Sequence, residues 1–395
     1  MDIKIKTDKR GKIIDSDKLF DKLNDQIDNG EFGAAVSQIL AIPREKWSNK
    51  LRFLLICAYN NLRDFTHAER ELDEVAELSE EPNDVARCHY SRGYLCFMRD
   101  REIMARAHYR KAIDTDPEYA KEIDLEEDIA ECTKLISEDL SGFHALSENV
   151  TSEIKKRCAS VGRKTDISDE LFQIMLGFFP GIRKVPGFEH SIGFRDYFTV
   201  YNAEEKKKCR QWLESMYGIT DLESFFRYIQ TDVGCNNSRM FYDVAAYITG
   251  KPNFDVNDLD FNGKFAFENA VMLISTFIGY LPKAGVLAWD LGEKIGFARH
   301  AYACGIINRA EYCNGMLTLS DTAKRNFSSW EEYMISLIFG AALYMYVTDE
   351  WSISSAAGFV SNLTPIMIKS DLADVRWYKP ESRFDRDKYK NKKPR

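Results

Sequence analysis

Small residues recur at nearly constant intervals in the N-terminal third of this 395-residue chain. Ala35, Ala68 and Ala105 are separated by 33 and 37 residues, close to the period of about 34 residues at which some helical hairpins stack. The distance between two packed helices depends on the side chains at their contact, so small residues allow the closest approach. The spacing therefore predicts a solenoid of helical hairpins over residues 1–140.

The third unit of this pattern is similar to the tetratricopeptide repeat. Gly93, Ala105, Tyr109, Ala112 and Pro117 stand at the spacings of that family. We expect Gly93 to meet Ala105 where the two helices cross. We also expect Pro117 to end the second helix, because proline lacks an amide hydrogen. The resemblance implies that the first helix of each hairpin lines a concave groove.

The expected groove combines aromatic rings, amides and two cations. By repeat phase its residues are Lys50, Phe53, Cys57, Asn60 and Asn61 in the second unit and Arg87, Tyr90, Tyr94 and Phe97 in the third. Such a surface suits a protein or peptide partner that carries carboxylate groups. Alternatively, Tyr90 and Tyr94 pack on the connector or on the C-terminal domain and fill the groove internally.

Composition limits the classes of function. The net charge of −8 argues against binding to nucleic acid or to anionic membranes. Nine cysteines without a CxxC pair indicate a reducing cytoplasm rather than a disulfide framework. The longest apolar runs, 270–281 and 335–347, contain about a dozen residues, whereas a membrane-spanning helix needs roughly 20. We therefore expect a cytoplasmic protein that does not enter the membrane.

Proline, glycine and charged residues divide the rest of the chain into three predicted segments. Residues 141–201 contain two Pro-Gly pairs and are predicted to form a connector. Residues 202–380 are predicted to form a compact all-α domain, and residues 381–395 a disordered basic tail. Alternation of period two is confined to residues 1–14, which predicts a small hairpin there.

Helix start and stop signals support the all-α prediction for the C-terminal domain. Asn202 with Glu205, and Thr220 with Glu223, match the capping box that opens a helix. Gly218 stands between them, where a left-handed residue would end the first helix. The whole chain is therefore predicted to be all-α.

One block of the C-terminal domain is more specific. Its landmarks are Trp289, Asp290, Gly305, Glu311 and Ser329–Glu332. This block resembles the signature of a bacterial family known as domain of unknown function 1266. The resemblance implies a helical domain without an established activity. The chain departs from the family pattern at Glu293, where that family often has arginine.

The block first suggests close helix packing. Trp289, Gly292 and Gly296 lie on one helical stripe, and each glycine inside a helix costs about 1 kcal/mol relative to alanine. A close approach by another helix would offset that cost. The run Gly340-Ala341-Ala342 offers a matching small surface.

The second interpretation is a polar pocket lined by Asp290, Glu293, Arg299 and His300. Other acidic residues of the block already have a structural role, since Glu311 and Glu332 complete capping boxes with Asn308 and Ser329. Asp290, Arg299 and His300 have no such role. They are the candidate catalytic residues.

No metal or cofactor is expected. Asp258, Asp260, Asn262 and Gly263 match a calcium loop, but Asn269 stands where the bidentate glutamate is required. The six histidines show no ligand spacing, and phosphate loops and dinucleotide fingerprints are absent from the sequence.

The sequence leaves two classes of function open. The first is a non-catalytic cytoplasmic interaction protein whose repeat groove binds a peptide or protein partner. The alternative is an enzyme of unknown type with a polar site around Asp290, Arg299 and His300.

Overall fold

The computed structural model describes residues 16–177, 200–230 and 236–378. These residues form seventeen α-helices and no extended strand, so the all-α prediction is confirmed. None of these helices is both long and apolar enough to cross a membrane. The predicted hairpin at residues 1–14 and the predicted tail at 381–395 lie outside the described residues.

The chain divides into two compact units. The first comprises residues 1–139 with 350–352, and the second residues 140–349 with 353–395. The helices that begin in the first unit are α1 (Ser16–Asp28), α2 (Phe32–Leu40), α3 (Asn49–Asn61), α4 (Phe65–Leu78), α5 (Pro82–Phe97), α6 (Glu102–Thr115), α7 (Pro117–Glu122) and α8 (Leu125–Ala159). Each of the first three helix pairs is joined by a short turn.

The three turns share one backbone conformation. Gly30, Arg63 and Asp100 each stand two residues before the second helix of a pair and have φ angles of 76°, 59° and 56°. In each turn, the next amide donates to the carbonyl five residues earlier, as from Asp64 to Tyr59. The turn positions are 33 and 37 residues apart, like the three alanines. The hairpin period is therefore present in the backbone itself.

The three repeating alanines lie in the core of the first unit. Ala35, Ala68 and Ala105 are fully buried. On the facing helix, the ring of Tyr109 lies closest to Gly93, since a Cβ atom at Gly93 would lie 2.4 Å from that ring. Glycine at this position makes room for the Tyr109 ring.

Helix α8 is longer than the sequence suggested. It has 35 residues and continues past residue 140, where we predicted a connector to begin. Buried side chains recur at Phe143, Ser147, Val150 and Ile154, at helical spacings of three and four. Because this stripe continues, the helix continues with it. The helix tolerates the single glycine in this region, Gly142.

The other helices belong to the second unit. They are α9 (Asp169–Leu176), α10 (Ala203–Tyr217), α11 (Leu222–Gln230), α12 (Asn236–Ile248), α13 (Phe261–Phe277), α14 (Leu287–Ala303), α15 (Arg309–Asn326), α16 (Trp330–Thr348) and α17 (Ile353–Lys369). Helices α14 and α16 have buried residues on all sides and pack against each other. A Cβ atom at Gly340 would lie 2.4 Å from Cβ of Trp289, so the predicted small surface receives this tryptophan.

The predicted helix caps are mostly confirmed. Both capping boxes opened by asparagine, at Asn202 and at Asn308, are complete. Gly218 ends α10 with a φ angle of 64°. The predicted cap at Thr220 is wrong, because Asp221 accepts the backbone amide of Ser224 and begins α11 one residue later.

Two further predictions concern acidic residues near helix starts. Ser329 caps α16 as expected, but the carboxylate of Glu332 accepts from the amide of Ser328 rather than closing a box with Ser329. Asp260, from the calcium-like loop, accepts the Gly263 amide as the cap of α13.

Candidate functional site

Helix α14 brings ionisable side chains into the core of the second unit. Asp290, Lys294, Arg299 and His300 are each at most 4% exposed. A charged or polar group in an apolar environment is costly unless it is paired or hydrogen-bonded. The contacts of Asp290, Lys294 and His300 therefore show what surrounds each of these groups.

Asp290 connects α14 to the start of α12. Its Oδ2 accepts the backbone amide of Ser238 at 2.9 Å, in the first turn of α12. A carboxylate is favoured there because the helix N-terminus carries a partial positive charge. Burial nevertheless raises the pKa of Asp290 to about 6, from an ordinary value of 3.8. Near neutral pH, this carboxyl group can therefore both hold and release a proton.

Lys294 lies one turn after Asp290 and faces the end of α11. Its Nζ is 3.4 Å from the carbonyl oxygen of Ile229 and 5.7 Å from the ring centre of Tyr228. The C-terminal end of a helix favours a cation. The Lys294 charge also lowers the pKa of Asp290, although less than burial raises it.

Asp290 and Glu293 line a cleft of about 420 Å³. The other lining residues are Met216 and Tyr217 from α10, Tyr228 from α11, Asn236 and Asn237 from α12, and Tyr344, Val347 and Thr348 from α16. The walls thus present three phenol rings, two carboxyl groups and two amides. The volume lies within the range of about 300–1,000 Å³ that is usual for small-molecule sites.

His300 lies in different surroundings. Its Nδ1 is hydrogen-bonded at 2.8 Å to the hydroxyl of Tyr201, and the ring of Trp212 meets it edge-on at 5.6 Å. Burial lowers the pKa of His300 to about 3, so the imidazole is neutral near pH 7. Among the described residues, the lining of the cleft includes neither His300 nor Arg299. The structure therefore groups Asp290 with Glu293 and not with the other two candidates.

The predicted groove residues of the first unit fall into two sets. Phe53 and Asn60 are buried, at 7% and 1% exposure. Tyr90 is half-buried between Tyr109 and Tyr119, with ring centres 5.8 and 6.5 Å away. The side chains that keep part of their surface exposed are Lys50, Cys57, Asn61, Arg87, Tyr94 and Phe97.

The cations of this surface are held by aromatic rings. Lys50 Nζ lies 4.8 Å from the ring centre of Phe20. The guanidinium of Arg87 lies 5.0 Å from Phe53 and 5.7 Å from Tyr119. Contacts of this kind keep a cation in place while leaving its charge available.

Sequence reasoning missed most of the cleft lining. Tyr217, Tyr228, Asn237 and Tyr344 were not among the predicted site residues. They come from four helices that are distant in sequence, so no local spacing marks them. The only sequence signal was Glu293, which shares a turn of α14 with Asp290.

The comparisons with known proteins concern the second unit. Residues 196–363 match the model of a family described as "Protein of unknown function (DUF1266)". This confirms the predicted resemblance for the C-terminal domain, and all lining residues of the cleft fall within the matched range. No curated protein and no solved structure matches the chain.

Proposed function

We propose that this chain is a non-catalytic interaction protein whose first unit is a tetratricopeptide-like repeat array that binds an acidic peptide. The observation that carries the proposal is the pair of ring-held cations, Lys50 and Arg87, on the first helices of two successive hairpins. The positive φ angle at the same turn position in Gly30, Arg63 and Asp100 supports the repeat assignment.

The exposed faces of α3 and α5 adjoin each other. Arg87 of α5 lies on Phe53 of α3. Cys57 of α3 is also close enough to Tyr90 and Tyr94 of α5 to influence the pKa of both phenols. A peptide can therefore contact both helices at once, as in other grooves between paired helices.

The two ends of this surface differ in charge. Lys50 and Arg87 lie towards the beginnings of α3 and α5. Asp128 of α8 is close enough to Tyr90 and Tyr94 to raise the pKa of each phenol, although burial contributes more. The acidic group of a peptide is therefore expected near Lys50 and Arg87, and an uncharged or apolar part near Tyr94 and Phe97.

Selection from a random peptide library against the full chain tests the proposal. We expect enrichment of peptides that carry aspartate, glutamate or a C-terminal carboxylate. Lys50→Glu combined with Tyr94→Ala should abolish capture, because the first change reverses a surface charge and the second removes a ring. Tyr90 is a poorer choice, since it packs against Tyr109 and its loss would disturb the fold.

Arg70→Glu is the matched control, because it reverses an exposed charge on α4, the second helix of a hairpin. It should capture the same peptides as the natural protein. Selection of basic peptides, or equal capture by the Lys50→Glu/Tyr94→Ala variant, would contradict the proposal.

The second candidate is an enzyme that acts in the cleft, with Asp290 as proton donor or acceptor. It is favoured by the pKa of about 6 at a carboxyl group on the cleft wall. Incubation of the full chain with a mixture of cell metabolites, followed by NMR, tests it. Turnover that is lost in Asp290→Asn would support this candidate, and an unchanged mixture would remove it.

A further inference from the structure

We propose that the cleft of the second unit binds a small organic cation through an ammonium or guanidinium group. This proposal does not rest on the peptide binding proposed for the first unit. It consists of Asp290 and Glu293 on one turn of α14 and of the rings of Tyr217, Tyr228 and Tyr344 around them.

The shape of the site points to a ligand rather than to a simple gap in packing. Five helices contribute to its walls, and its volume is about 420 Å³. This is enough for a compound with the size of a capped amino acid, and much more than one water molecule needs. Its lining is mixed, with aromatic faces beside carboxyl and amide groups, as in sites that hold and orient one ligand.

The charges of the lining residues indicate whether the ligand is a cation or an anion. The cleft has two acidic side chains and no basic one among its described lining residues. The nearest buried cation, Lys294, is directed at the Ile229 carbonyl and the Tyr228 ring. The N-terminus of α12, which could otherwise attract an anion, already donates to Asp290 through Ser238. A ligand anion would therefore meet repulsion from the acidic side chains of this lining.

The rings favour an organic cation over a metal ion. Tyrosine faces attract ammonium and guanidinium groups by cation–π interaction, and Tyr228 already has such a contact with Lys294. A metal ion, by contrast, would require several converging oxygen ligands. The amides of Asn236 and Asn237 offer carbonyl oxygens to the N–H groups of the ligand.

Isothermal titration calorimetry with the full chain tests this site. The probes are N-acetyl-arginine amide, N-acetyl-lysine amide, N-acetyl-citrulline amide and succinate. The arginine and citrulline compounds have nearly the same shape and differ in the charge of one group. We expect saturable binding of the arginine or lysine compound with a Kd below roughly 1 mM, and none of the citrulline compound or succinate.

Two substitutions near the cleft should weaken binding about tenfold or more. Glu293→Gln removes one of the attracting charges. Thr348→Arg places a competing guanidinium at an exposed position of the lining, where the fold should tolerate it. Asp321→Asn, which removes an exposed negative charge on α15 outside the cleft lining, is the matched control and should bind like the natural protein.

Asp290→Asn should also weaken binding, but it alters the contact with α12, so the two other variants decide the result. The proposal is overturned if neither cationic probe binds saturably up to roughly 10 mM. It is also overturned if the citrulline compound binds as tightly as the arginine compound, or if Glu293→Gln and Thr348→Arg leave the affinity unchanged.

Discussion

Two acidic sites, one in each unit, differ in what surrounds their carboxyl groups. In the first unit, Arg52 donates to both Glu71 and Glu74 at 2.7 Å. Arg44 also donates to both of these carboxylates, and its hydrogen bond is the main cause that lowers the pKa of Glu74 to about 2. In the second unit, burial raises the pKa of Asp290 to about 6.

The difference distinguishes carboxylates that are paired with arginines from a carboxyl group that lines a cleft. Glu71 and Glu74 are paired with two arginines that join α4 to α3 and to the preceding turn. Asp290 has a backbone amide as its hydrogen-bond donor and stands on the wall of a cleft. A buried carboxyl group with a raised pKa beside a cavity is typical of functional sites, whereas a network of ion pairs is usually structural.

The largest effect is expected from breaking the arginine network. Arg52→Leu leaves Glu71, which is 3% exposed, with Arg44 alone. Removing one partner of a buried ion pair costs about 3 kcal/mol or more of the free energy of unfolding. Urea titration at neutral pH measures this loss.

Arg92→Leu is the control for this prediction. Arg92 pairs with Asp73 at 2.7 Å, but the two side chains are 31% and 69% exposed. An exposed pair contributes about 0–1 kcal/mol. If both variants lose the same free energy of unfolding, the network of Arg52 is no more structural than a surface pair.

Asp290 should produce the next largest effect, and it depends on pH. The folded protein holds the Asp290 proton more tightly than the unfolded chain, because the pKa rises from 3.8 to about 6 on folding. The contribution of this group to the free energy of unfolding is therefore full below about pH 4 and is lost as the pH rises through about 6. Asp290→Asn removes that dependence.

The stability of Asp290→Asn relative to the natural protein should therefore increase by on the order of 2–3 kcal/mol between about pH 4 and pH 7. Urea titrations at several pH values measure this change. Asp321→Asn, at an exposed position, is the control for loss of a negative charge. A stability difference between Asp290→Asn and the natural protein that stays constant with pH would show that burial does not perturb this carboxyl group.

The sequence predicted the features that depend on neighbouring residues. The asparagine caps at 202 and 308 were confirmed because each box needs only residues three apart. The prediction at Thr220 failed because the neighbouring Asp221 caps the helix instead. Its carboxylate accepts the amide of Ser224, three residues later, which is the spacing that was predicted for Thr220 and Glu223. Local chemistry found the helix start but not the residue that caps it.

Only the site residues that share one helix were predictable from the sequence. Asp290 and Glu293 are one turn apart on α14, so the sequence grouped them, and both line the cleft. His300 is about 15 Å further along α14, which is too far for the same site. Tyr217 and Tyr344 reach the cleft through packing of α10 and α16 on α14, and no pattern in a single sequence encodes that meeting.

The smallest effect, and one of opposite sign to that of Asp290, is expected at Glu74. Because its folded pKa of about 2 lies below the ordinary 4.5, its contribution is present above about pH 4.5 and is lost as the pH falls towards 2. The side chain is 33% exposed, so solvent screening reduces the contribution to about 1 kcal/mol. Glu74→Gln should therefore be less stable than the natural protein at pH 7 by about that amount and nearly equal to it in acid.

Glu77→Gln, at an exposed position on the same helix, should show neither effect in the same urea titrations. Equal signs of the pH dependence for Glu74→Gln and Asp290→Asn would contradict the distinction between a carboxylate that arginines stabilise and a carboxyl group whose pKa burial raises.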